Sequence, residues 1–217
     1  MICAIIFDMD GVLIDAREWH YRALNQALEL FGFHIGREEH LTTFDGLPTC
    51  VKLDKLSRMR GLPRELHGLI NGLKQTYTAQ LASLHCKPVP THQDTLERLK
   101  TLGYRLAVAS NSVRSTVDLM LERAELLPFL DFTLSNEDVE HPKPSPEIYQ
   151  RAISRLGLSP QECLVLEDNE NGIAAGIASG AHVMVVRDPS DVHFDAIVAQ
   201  IEQLQSGKMH WGLQRAA

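Results

Sequence analysis

Five short apolar runs, each closed by polar residues, constrain this chain more than any other feature. They occupy residues 2–7, 104–109, 132–134, 163–166 and 182–186. Runs this short and this apolar read as strands buried on both faces of a parallel sheet. Stretches with helical spacing lie between the later runs, at 92–102, 115–124, 146–156 and 172–179, and supply right-handed crossovers. The alternation predicts an α/β fold with a doubly wound parallel sheet.

Residues 15–87 break that alternation, since they carry helix signals and no convincing strand. They predict a helical cap subdomain inserted into a core formed by 1–14 and 88–217. In its first helix Asp15 is the expected N-cap, with Glu18 three residues on. Leu24, Ala27, Leu28 and Phe31 follow at helical spacing before Gly32. Further helices are expected over 49–60 and 63–84, separated by Gly61 and Pro63, and 87–90 reads as the return linker. The tail 207–217 reads as loosely held.

Composition excludes several function classes. The formal charge is −7, and the 21 Lys and Arg residues are scattered rather than striped; a nucleic-acid partner is therefore not expected. No apolar run approaches the roughly 20 residues that span a bilayer, and run 2–7 ends at Asp8, too early for a signal sequence. No membrane partner is expected, and the cytoplasm is the expected location. Cys3, Cys50, Cys86 and Cys163 are widely spaced, as free thiols rather than a zinc or exchange motif would be. The oligomeric state stays open, with a monomer as the working expectation.

Chemistry gathers where the runs end. Phe7-Asp8-Met9-Asp10-Gly11-Val12 puts two carboxylates at the C-terminal edge of the sheet, where open α/β folds bind ligands. Glu167-Asp168 repeats the arrangement after residues 163–166. Two such pairs side by side, about 5 Å apart, would repel by roughly 3 kcal/mol at an effective dielectric near 20, or about two pKa units. Something must neutralise them, and an all-oxygen set suits Mg²⁺. Ser110-Asn111-Ser112 after residues 104–109 offers a hydroxyl and backbone N–H groups for phosphate oxygens. Lys143, in the stiff stretch His141-Pro142-Lys143-Pro144-Ser145-Pro146, offers a point charge. Taken singly, an Asp turn, an N-capping Ser and a surface Lys explain each of these; the set points to a site.

Asp8-x-Asp10, Ser110, Lys143 and Glu167-Asp168, in this order, resemble the four signature motifs of the haloacid-dehalogenase superfamily. The insertion resembles that superfamily's helical C1 cap. Residues 7–12 with Asp15, His20, Arg22 and Ala23 are similar to β-phosphoglucomutases and related sugar phosphatases. The resemblance implies that Asp8 attacks phosphorus, and that Asp10 protonates the leaving oxygen and then activates water. It also implies that Ser110, Asn111 and Lys143 bind the phosphoryl group. Mg²⁺ would be held by Asp8, Asp10 through its backbone carbonyl, and Asp168, with Glu167 orienting the metal shell. The second Asp favours phosphoryl transfer over dehalogenation.

Substrate choice falls to the cap, where His20, Asp45, Gly46, Thr49 and Lys52 are candidates. Arg114 is a further candidate for a second anionic group. Phosphoglucomutases carry a Lys before this Gly and an Arg three residues after it, where Asp45 and Thr49 stand here. That difference favours an Mg²⁺-dependent phosphatase acting on a small phosphorylated metabolite such as a sugar phosphate. A sugar-phosphate mutase is the alternative, and a phosphorylatable signalling module a remote one.

Overall fold

The computed structural model describes residues 1–44 and 46–206. Asp45 and the tail 207–217 lie outside the described residues. Five parallel strands form one sheet: β1 (Ala4–Phe7), β2 (Arg105–Ala109), β3 (Phe132–Leu134), β4 (Cys163–Glu167) and β5 (His182–Val185), in the order β3-β2-β1-β4-β5. Nine helices flank it among the described residues: α1 (Arg17–Glu29), α2 (Arg37–Glu39), α3 (Thr49–Arg60), α4 (His67–His85), α5 (Pro90–Thr101), α6 (Arg114–Arg123), α7 (Glu147–Leu156), α8 (Glu170–Ala178) and α9 (Phe194–Gln205).

Successive side chains on a strand face opposite ways, so β1, fully buried, feeds two cores. Ile5 and Phe7 join Leu106, Val108, Leu164 and Leu166 under α5, α6 and α9. Ala4 and Ile6 join Cys163 and Val165 under α7, which contributes Ile148, Tyr149, Ala152 and Ile153. A third apolar cluster belongs to the inserted segment: Leu24, Ala27 and Leu28 of α1 pack with Leu53 and Leu56 of α3 and Ile70 of α4. Helix α4 does not stop there. Its Ala82, and Cys86 just beyond it, enter the sheet's own core beside Val117 and Met120 of α6, and the Cys86 thiol donates to the Met120 carbonyl at 3.4 Å. The insertion is thus rooted on α6 as well as on its two connecting segments.

Several local expectations need correction. Ala16, not Asp15, occupies the N-cap of α1, and no side chain caps that end. The expected linker 87–90 ends early because Pro90 already occupies the first turn of α5, where its missing N–H costs nothing. Helix α8 starts at Glu170, before Gly172, because the Asn169 side chain accepts from the Gly172 N–H and caps it. The expected helix over 63–84 opens instead with a 3₁₀ turn, Arg64–Leu66. Short α2 and a π-helical turn, His40–Phe44, fill a stretch without clear periodicity. No helix among the described residues is long and apolar enough to cross a membrane.

The parallel register aligns the strand ends. Phe7 lies beside Val108 and Leu166, so the residues leaving β1, β2 and β4 emerge together at one sheet edge. Because Met120 sits where α4 and the sheet share a core, Met120→Ala should cost about 2–5 kcal/mol of stability, read by urea unfolding; a loss below about 1 kcal/mol would contradict this packing.

Candidate active site

Lys143 organises that edge. Its ammonium, 2% exposed, lies 2.5 Å from Asp8 Oδ1, 2.7 Å from Glu167 Oε1 and 2.8 Å from the Ala109 carbonyl. All three of its donors are used. The loop that carries it is fastened by Asn111, whose amide accepts from the Lys143 N–H at 3.0 Å and donates to the Lys143 carbonyl at 3.3 Å. The Tyr149 hydroxyl donates to the same Glu167 oxygen as Lys143, and the ammonium rests 4.7 Å from the Tyr149 ring centroid. Burial alone would lower the Lys143 pKa, but Asp8 and Glu167 outweigh it and raise it, so the ammonium is a permanent charge.

One ammonium does not balance its surroundings. The Asp8 carboxyl is raised well above the usual range, first by burial and then by Glu167, Asp10 and Asp168, against which Lys143 acts alone. Oxygens of Asp8, Glu167 and Asp168 can all lie within 4.8 Å of one another. A hard-oxygen set with a surplus of negative charge fits a divalent cation such as Mg²⁺. Glu167, however, already accepts at Oε1 from Lys143 and Tyr149. Its Oε2 faces the Asp168 N–H and Asn169 amide at 3.2 and 3.4 Å. Asp8 and Asp168 are therefore the side chains best placed to hold an ion, with Glu167 holding Lys143. Gly11 makes room for this: its φ is +91°, and a Cβ there would fall 2.0 Å from Asp168 Oδ2.

Asp10 has a different environment. Its Oδ2 accepts from the Ser112 hydroxyl at 2.7 Å, and its Oδ1 is 3.0 Å from His20 Nε2. The other imidazole nitrogen lies 3.1 Å from Lys74 Nζ. An ammonium can only donate, so His20 Nδ1 accepts and Nε2 carries the hydrogen toward Asp10. Burial and the Lys74 charge push the imidazole below its normal pKa, keeping it neutral at pH 7. Burial would raise Asp10, but His20, Ser112 and Lys74 together bring it below the usual carboxylate value. Lys74 itself is lowered by burial to about 8, with Asp10 opposing.

Core and cap enclose a cavity of about 170 Å³. Asp8, Asp10, Ser110, Asn111, Lys143 and Asp168 line it from the sheet edge, and His20, Gly46, Thr49 and Lys52 from the insertion. The cap loop sits directly on the core. A Cβ on Gly46, whose φ is +66°, would fall 2.8 Å from Asn169 Oδ1 and 3.2 Å from Asn171 Nδ2. Asp45, its neighbour, is outside the described residues. Arg114 does not line the cavity: it donates to Asp138 and to the Thr133 hydroxyl and lies 3.5 Å from Asp118. Those carboxylates lie within reach on and beside α6, so its charge is spent away from the cavity. Lys74 escaped sequence reasoning, as did the bond from Ser112 to Asp10. The available signal was that Asn71, Lys74, Gln75 and Thr78 recur at helical spacing; the first three line the cavity and Thr78 is fully buried.

Comparison with known proteins agrees with this fold. Pyrophosphatase PpaX of Bacillus velezensis is 30% identical over 189 residues, covering 82% of this chain and 80% of its own. CbbY of Rhodobacter sphaeroides has been solved with phosphate and, as a variant, with xylulose-(1,5)bisphosphate. It is 26% identical, covers 85% of this chain and 86% of its own, and superposes with a TM-score of 0.78. β-Phosphoglucomutase of Clostridium difficile, 21% identical, shares the fold over 95% of this chain and 100% of its own, with a TM-score of 0.82. The family profile of haloacid dehalogenase-like hydrolases matches residues 5–186, and the chain, with its parallel sheet and its carboxylate-lined edge, belongs to that family of enzymes.

Proposed function

We propose that this hydrolase is a cytoplasmic, Mg²⁺-dependent phosphatase that releases orthophosphate from a small phosphorylated metabolite through an aspartyl-phosphate on Asp8. The observation that carries the reading is the unequal treatment of Asp8 and Asp10. Lys143 holds Oδ1 of Asp8, which leaves Oδ2 to form the bond to phosphorus. Asp10 is instead tied to His20 and Ser112, partners suited to moving a proton. Mg²⁺, held by Asp8, the Asp10 carbonyl and Asp168, would keep Asp8 ionised and offset charge on the phosphoryl oxygens.

The chain's own residues account for the rest. Ser110, buried at the end of β2, faces the phosphoryl oxygens, and Lys143, its donors engaged, offsets their charge from beside Asp8; Asn111 contributes by fixing the Lys143 loop. Asp10 is ionised in the substrate-free enzyme. A phosphate group arriving beside it raises its proton affinity, so that it binds a proton and passes it to the leaving oxygen as the P–O bond breaks. Asp10 then takes a proton from the water that displaces phosphate from Asp8.

The cavity's far wall favours a polar leaving group. Lys52, His40 and Lys74 face inward there with Asn71 and Gln75, a lining suited to a hydroxylated, anionic substrate such as a sugar phosphate or bisphosphate. The complex of CbbY with a sugar bisphosphate supports the same class. Because Arg114 is engaged by Asp138 and Thr133, it adds nothing to hold a reorienting bisphosphate, and hydrolysis is favoured over a mutase.

Sugar phosphates, sugar bisphosphates, nucleotides and pyrophosphate should be assayed for phosphate release with and without Mg²⁺. Release from a sugar phosphate, with Mg²⁺ required, is expected; an isomeric phosphate formed without release would contradict hydrolysis. A second outcome concerns pH. Lys74 loses its proton as pH rises through about 8, and with it the positive charge and the donor-only character that fix the His20 tautomer. The profile of kcat/KM should therefore fall above pH 8, and Lys74→Met should lower the rate about 10–100-fold and erase that limb. An unchanged limb in Lys74→Met would overturn the assignment.

A further inference from the structure

Arg17 opens α1, the first helix of the insertion, yet its side chain reaches the core. Its Nη1 lies 3.8 Å from Asp168 Oδ2, and its Nη2 donates to the Arg187 carbonyl, just beyond β5, at 3.3 Å. The two partners are unlike. The Asp168 side chain is 3% exposed, whereas that of Arg17 is 40% exposed and also lines the cavity. On Asp168, Oδ1 accepts from the Asn169 amide at 3.0 Å while Oδ2 faces the guanidinium.

A long ion pair with one partner 40% exposed adds little stability by itself. Its position gives it a different meaning. Asp168 shares its site with Asp8 and Glu167, and Lys143 serves only the latter two at hydrogen-bond distance. Arg17 therefore brings a cation from the insertion to Asp168.

We propose that Arg17 is an internal competitor of the divalent cation at Asp168. It offsets the Asp168 charge in the metal-free enzyme and gives way when the ion binds. A guanidinium and a divalent ion cannot share one carboxylate without strong repulsion, so the affinity for metal is set below what the carboxylates alone would provide. Because Arg17 belongs to the insertion and Asp168 to the sheet edge, ion entry also loosens one tie between them. By linkage, the effect is reciprocal: whatever draws Arg17 away from Asp168 strengthens metal binding. An anionic substrate in the cavity attracts the same guanidinium, which couples substrate and metal binding positively. The inference rests on the metal site proposed above.

The test is calorimetric titration of Mg²⁺ into the full chain, with Arg17→Ala and Arg17→Lys alongside and Asp168→Asn as the control that removes the shared ligand. Melting temperatures are recorded without metal and at saturating Mg²⁺. Arg17→Ala is expected to bind Mg²⁺ about tenfold more tightly, to melt no higher than the parent without metal, and to gain more on adding Mg²⁺. Arg17→Lys, which keeps the charge, should stay close to the parent. A plain structural tie would lower both melting temperatures equally and leave the affinity unchanged, and that result, or weaker binding in Arg17→Ala, overturns the competition. Absence of Mg²⁺ binding by the parent and every variant would overturn the metal site itself, and this inference with it.

Discussion

A buried ammonium between two buried carboxylates sets the terms for the rest of this molecule. Lys143, Asp8 and Glu167 are each withdrawn from water, and the desolvation of such a group costs several kcal/mol unless every donor and acceptor is met. The fold meets them from separate elements. The ends of β1 and β4 bring the carboxylates, the end of β2 brings the Ala109 carbonyl, α7 brings the Tyr149 hydroxyl, and Asn111 pins the backbone of the lysine loop. Removing one partner would leave the others charged and unpaired. The parallel register of three strands is thus tied to the chemistry: the same side chains that hold the edge together define which oxygen of Asp8 is available.

Around that fixed cluster the remaining carboxylates are held more loosely, and by groups from the other side of the cavity. Asp10 is governed by His20 and Lys74, and Asp168 by Arg17. All three partners belong to the helical insertion. The insertion therefore does more than wall the cavity. It supplies partners to two carboxylates at the sheet edge, and Gly46 allows its loop to approach Asn169 and Asn171 closely.

Much of the architecture was legible in the sequence, because strands buried on both faces must be continuously apolar, and their ends must bear whatever the site requires. Residues 132–134 and 49–60 matched their elements to the residue, and Asp8, Asp10, Ser110, Lys143 and Asp168 emerge around one cavity. Helix ends were less legible: Asp15 has a good capping side chain but leaves α1 uncapped, since a cap depends on backbone geometry that the insertion's entry angle decides. Contacts across the cavity were not legible at all. Helical spacing marks the face of α4 that bears Lys74, but its meeting with His20 across 54 residues and the meeting of Arg17 with Asp168, far apart in the sequence, leave no local pattern. Arg114 shows the converse: its place after the Ser110 loop suggested an anion site, while nearby Asp138 and Asp118 claim its charge.

The proposed chemistry turns on Asp8 as the residue that receives the phosphoryl group. Rapid acid quench of the enzyme with Mg²⁺ and an activated phosphoryl donor such as acetyl phosphate, with mass spectrometry of its peptides, addresses this directly. A single added phosphoryl group is expected on the peptide carrying Asp8, labile to hydroxylamine and absent from Asp8→Asn, which should lose turnover altogether. A phosphoryl group on another residue, or Asp8→Asn turning over within about tenfold of the parent enzyme, would contradict it.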